Sequence, residues 1–154
     1  ENKEYWRQEP QKGKTQLEYN RRYYQEILDV VKAYKDYSIL GHLDVIKRYD
    51  LNGEIELEKI KDLIEQIFEV VIADGKGIEL NTSSRAYHLK SLMPSREILE
   101  LYHDMGGKII TIGSDGHCPK HMAYDFCKLP DFLSNLGIRY YTVFRDKKPE
   151  FIKL

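Results

Sequence analysis

The stretch "SILGHLDVIKRYD" at residues 38–50 begins as a short apolar run with the pattern of a buried strand, and "IITIGSDGHCP" at 109–119 begins the same way. Both runs end in histidine and aspartate. A plain turn needs only Gly, Asn, Pro or Ser to set its backbone angles. Imidazole and carboxylate at two strand ends point instead to chemistry, placed where parallel β/α folds keep their sites.

Working outward, residues 15–36 read as a helix. Thr15 and Glu18 have capping-box spacing, and Leu17, Tyr24, Ile27, Leu28, Val31 and Tyr34 recur at roughly helical intervals. A strand at 38–40 follows, then a helix over about 56–74 with Leu57, Ile60, Ile64, Ile67, Phe68 and Val71 on one side, stopped by Gly75. "GIELN" at 77–81 is the next strand. Ser95 caps a helix running to about Met105, and "KIITIG" at 108–113 is a strand dense in β-branched residues. Helical turns cover about 120–136, interrupted near Pro130 and closed by Gly137. "YYTVF" at 140–144 is a strand, and "RDKKPE" turns it toward a last one, "FIK". Alternation of helix and strand predicts parallel strands joined by crossover helices.

Composition narrows the function. A 154-residue chain with 42% hydrophobic residues fits one domain with a real core. A net charge of −1, with Lys and Arg spread along the chain, provides no field for a nucleic-acid backbone. No apolar run reaches membrane-spanning length, and the opening "ENKEYWRQEP" is unlike a signal peptide. Cys118 and Cys127 form no CxxC pair, so free thiols in a reducing cytoplasm are expected.

The polar residues gather at matching places. His42 follows the first strand, Asn81 ends the second, and Asp115 and His117 follow the third, spaced by about one β/α unit each. In an extended segment Asp115 and His117 would point the same way and could converge on one cation, Zn, Mn or Fe suiting mixed O and N donors. Equally, Asp115 could cap the next helix with His117 on its first turn. His42 reads as a ligand or as a core histidine, with Asp44 capping a turn. Lys47, Arg48 and Arg85 lie close by, and arginine takes phosphate by paired hydrogen bonds. His88 could touch substrate. His103 reads as a surface or capping group and Cys118 as a bystander thiol, while His121, four beyond His117, could share a helical face with it as a ligand pair or stand apart from it.

"ILGHLDVIKRY", "IELNTSSR", "PSREIL" and "TIGSDGHCP", in this order and spacing, resemble the PHP (polymerase and histidinol phosphatase) family, and its histidinol-phosphatase branch in particular. The resemblance covers most of the chain. It implies a distorted, TIM-like β/α barrel with two or three divalent metals at its mouth, hydrolysing L-histidinol phosphate, a small phosphate monoester, in histidine biosynthesis. It implies His42, Asp115 and His117 as metal ligands, Asp115 and His117 as catalytic, and Arg48, Arg85 and Asn81 around the phosphate. Gly116 stands where the family usually writes Ala. The family's HxH motif has no counterpart, and the opening helix lacks the strand it should follow. A whole barrel takes roughly 250 residues. Residues 1–154 are therefore expected to be one domain, the C-terminal part of a PHP barrel, with the HxH-bearing strands absent. Such a part-barrel exposes sheet edges, so a homodimer that buries them is expected. Two other functions fit the same residues: a phosphoesterase for another small phosphate, and a truncated module that binds phosphate or a partner without turnover.

Overall fold

The computed structural model describes residues 11–154, the side chains of residues 85 and 86 excepted. The opening stretch ENKEYWRQEP and the side chain of Arg85 thus lie outside the described residues.

Helix α1 (Gln16–Ala33) starts on the expected capping box. The Thr15 hydroxyl accepts from Glu18 N at 3.3 Å, and the Glu18 carboxylate accepts from Thr15 N at 2.7 Å. The carboxyl is held below its ordinary range by the bond from the Thr15 backbone, the larger cause, and by one that the Thr15 hydroxyl donates to the same oxygen at 2.8 Å. The helix buries Tyr19, Asn20, Tyr24, Leu28 and Val31. Leu17 and Tyr34, expected inside, are exposed. Tyr34 is the C-cap, extended in backbone and out of helical phase. At the other end Tyr19 and Asn20 turn inward instead, drawn by hydrogen bonds to Asp50.

Strand β1 (Ile39–Leu40) leads through a 3₁₀ turn at Val45–Arg48 toward helix α2 (Lys61–Ala73). The helix starts later than its apolar spacing suggests, because Leu57–Lys59 forms a separate 3₁₀ turn. Ile64, Ile67, Phe68 and Val71 are fully buried, and Gly75 ends the helix with φ 65°. Strand β2 (Gly77–Asn81), helix α3 (Arg96–Asp104) and strand β3 (Ile110–Gly113) fall where the sequence places them. The Ser95 hydroxyl caps α3 by accepting from Ile98 N.

The three strands form one parallel sheet in the order β1-β2-β3. Strand β2 is central and nearly all buried. Among the described residues β1 pairs with no second strand. The helices cover the sheet through Tyr24, Leu28, Phe68, Leu99 and Tyr102, with the Phe68 and Tyr102 rings meeting edge-on, centroids 5.0 Å apart.

The parallel series stops at β3. Helix α4 (Leu129–Ser134) carries Pro130 in its first turn, where proline starts a helix rather than interrupting it. Strand β4 (Tyr140–Arg145) then folds back on β5 (Lys148–Lys153) as an antiparallel hairpin, instead of joining the sheet as a fourth parallel strand. Asp146 and Lys147, with φ 49° and 62°, make the two-residue turn whose twist suits a hairpin. The hairpin meets the sheet through the Thr142 hydroxyl, which accepts from Ile110 N at 3.3 Å. No described helix is long and apolar enough to cross a membrane, and both cysteines are free thiols.

Candidate active site

Parallel pairing brings the carboxyl ends of β1, β2 and β3 side by side, Asn81 lying opposite Gly113. Asn81 is also bridged to Met93 on its other side, which fixes the end of the central strand. His42 stands just beyond β1 and Asp115 just beyond β3. Both adopt left-handed backbone, with φ 27° and 45°. A β-carbon disfavours that region at about 1–3 kcal/mol, and such conformations cluster at functional sites.

Asp115 and His117 do meet, but not by strand alternation. The segment after Gly113 is turned at Asp115 rather than extended, and His117 Nε2 comes within 3.1 Å of Asp115 Oδ1. The capping alternative is not formed: the next turn, Pro119–His121, is headed by Cys118 and has no side-chain cap. The His117 side chain is 71% exposed and Asp115 25%, so the pair faces solvent from a held carboxylate.

Arg48 closes on the same aspartate. Its Nη2 donates to Asp115 Oδ2 at 3.2 Å and to the Ser83 hydroxyl at 2.8 Å. The guanidinium lies 3.7 Å over the Tyr87 ring and is 8% exposed. Its Nε is buried with no hydrogen-bond partner among the described residues. A buried guanidinium with spare donor capacity suits an anion. Asn81 joins from β2, its Oδ1 accepting from Ser83 N at 2.8 Å.

Bonds continue without a break from one strand end to the next. His42 N and Asn81 Nδ2 both donate to Glu79 Oε2, at 3.0 and 3.2 Å, and Asn81 leads through Ser83 and Arg48 to Asp115 and His117. Glu79 and Tyr87 are the groups of this site that sequence reasoning missed. Glu79 left a trace, being the one acidic residue in the buried strand "GIELN".

Other candidates fall elsewhere. Lys47 is buried beneath the turn, paired with Asp44 at 2.7 Å and donating to Ser91 Oγ and Leu92 O. Asp44 does not cap that turn. It accepts from Ser95 N instead, and burial pushes its carboxyl up while Lys47 pulls it down. His88 is exposed with φ 56°, His103 lies in the last turn of α3, and His121 packs edge-on against Tyr124. Among the described residues no three His, Cys, Asp or Glu gather into a group able to hold a metal ion. Asp115 and His117 supply two donors where such an ion takes three or four. The described residues thus do not by themselves fit the metal cluster that the family implies.

Residues 1–83 match the PHP domain, and the chain belongs to that family. It is 32% identical over 123 residues to a protein of Thermotoga maritima named "Probable histidinol-phosphatase", covering 80% of this chain and 51% of that one. To the histidinol-phosphatase of Lactococcus lactis subsp. lactis it is 27% identical over 138 residues, 88% of this chain and 51% of the relative. The chain spans about half the length of the curated relatives it matches. The crystal structure of the Lactococcus lactis histidinol phosphate phosphatase, complexed with zinc, L-histidinol and phosphate, superposes with a TM-score of 0.74 at 25% identity. That likeness covers 92% of this chain and 54% of that one. A Listeria monocytogenes structure, TM-score 0.63 at 14% identity over 75% of this chain and 45% of the other, supports the fold alone. The fold is accordingly that of part of a PHP-type, TIM-like barrel.

Proposed function

We propose that the chain is the C-terminal part of a metal-dependent phosphomonoesterase that hydrolyses L-histidinol phosphate to L-histidinol and phosphate in the cytoplasm. The observation that carries this reading is the meeting of Arg48, from beyond β1, with Asp115 and His117, from beyond β3, across the carboxyl end of the sheet. The substrate is taken from the histidinol phosphatases that the chain resembles over most of its length.

Each residue has a part. Arg48, held by Ser83 and stacked on Tyr87, neutralises and orients the phosphoryl oxygens. Arg85 and Asn81 are proposed as further phosphate-binding residues. His117, oriented by Asp115, gives a proton to the ester oxygen as the phosphorus–oxygen bond breaks, and the water that adds to phosphorus returns a proton to it. His42, Asp115 and, when it does not carry the transferred proton, His117 are this chain's proposed share of donors to a divalent cation, the remaining donors lying outside the described residues.

The test is phosphate release from L-histidinol phosphate by this polypeptide, stripped of metal and resupplied with Mn²⁺ or Zn²⁺. Where metal-dependent release is found, its loss in H117A and its retention in H103A support the reading. Equal effects of the two substitutions would overturn the role of His117. No release from a folded, metal-supplied sample would overturn the activity for this chain alone.

A further inference from the structure

Glu79 has no part in the mechanism above, yet its side chain is placed with unusual care. It is the middle residue of β2, and the four residues around it in the strand are buried. Its Oε2 accepts from two strand ends at once, from His42 N beyond β1 and from Asn81 Nδ2 on β2. Its Oε1 lies against Gly113, the last residue of β3, where any added Cβ would run into it. A Cβ on Gly41 would stand 3.6 Å from Oε2. The carboxylate therefore lies across all three strand ends, in a slot that a glycine keeps open. Gly113 has no left-handed φ to explain it. Room for Glu79 is what its missing side chain provides.

We propose that Glu79 is a positioning residue for the phosphate site. It holds the left-handed backbone of His42, and through Asn81 and Ser83 it holds the guanidinium of Arg48. This inference rests on reading Arg48 as the phosphate ligand. The role is acceptance of two hydrogen bonds rather than provision of charge. A glutamine whose oxygen takes the place of Oε2 accepts both, with its amide NH₂ toward Gly113. An alanine accepts neither.

The experiment titrates inorganic phosphate into the 154-residue chain and its E79Q, E79A and G113A forms. Proton–nitrogen spectra follow the His42 amide and Arg48 Nε resonances in each. E79Q is expected to keep the His42 amide position and the phosphate affinity. E79A is expected to shift the amide upfield and weaken phosphate by about tenfold, the scale of one hydrogen bond into a charged site. G113A, with Glu79 intact but displaced, is expected to follow E79A, which keeps the test open should E79A fail to fold. An unmoved His42 amide in E79A and G113A overturns the proposal. So does E79Q as impaired as E79A, which would make the charge and not the placement decisive. If the parent chain binds no phosphate, the functional reading fails, and the resonances of His42 and Arg48 still decide the positioning role.

Discussion

Arg48 carries two hydrogen bonds on a single nitrogen, to Ser83 and Asp115, while its plane rests on Tyr87. A lysine at 48 keeps the charge but has neither the fork nor the flat face. R48K is therefore expected to weaken phosphate binding by about tenfold or more, read by phosphate titration. An affinity equal to the parent's would show that charge alone suffices. At this scale the sequence was partly readable. The placement of Asp115, His117 and Arg48 at strand ends was legible, and the closing of Arg48 on Asp115 is what the structure adds. Lys47 looked equivalent to Arg48 from its place beside it, yet the turn sends it under the surface to Asp44. Only the three-dimensional path of residues 44–48 separates the two, and no pattern in five residues encodes that path.

Among the elements, the β4–β5 hairpin offers the sharper expectation. Lys147 holds φ 62°, a conformation glycine adopts without strain. K147G is expected to stabilise the fold by about 0.5–1 kcal/mol, measured by urea denaturation, since Asp-Gly suits this two-residue turn. The helices set a second expectation, on pH. Burial pushes the phenols of Tyr19 in α1 and Tyr102 in α3 up to about 12, against about 10 in the unfolded chain. A raised pKa of this kind leaves stability intact below pH 10 and removes it as pH climbs from 10 through 12, because only the unfolded chain releases the protons readily. Alkaline melts should show that loss, with tyrosinate absorbance rising late and together with unfolding. Helix and strand positions were largely legible because each follows its own apolar period and its own cap. The hairpin was less so: "RDKKPE" contains no glycine, and positive φ at Asp146 and Lys147 is carried by residues that give little warning of it.

For the whole molecule, the parallel sheet ends at β1 with no second neighbour among the described residues. Tyr140 and Phe151 on the hairpin are also exposed. Unpaired strand edges and apolar surface favour association. Scattering mass is expected to rise with concentration toward that of a dimer, and a constant monomer mass would count against it. The barrel-type order of helices and strands was legible at this scale, since each parallel strand sits one β/α unit after the last. What could not be read was where the parallel order stops, because β3 and β4 look alike as apolar runs and only pairing tells them apart.

The hydrogen-bonded path from His42 through Glu79, Asn81, Ser83 and Arg48 to Asp115 and His117 has one more consequence. Every member between the two histidines is both held and holding. Substitutions along it are then non-additive: once one link is cut, the next removal has less left to disturb. The energetic weight belongs to the path, and no single side chain owns a fixed share of it.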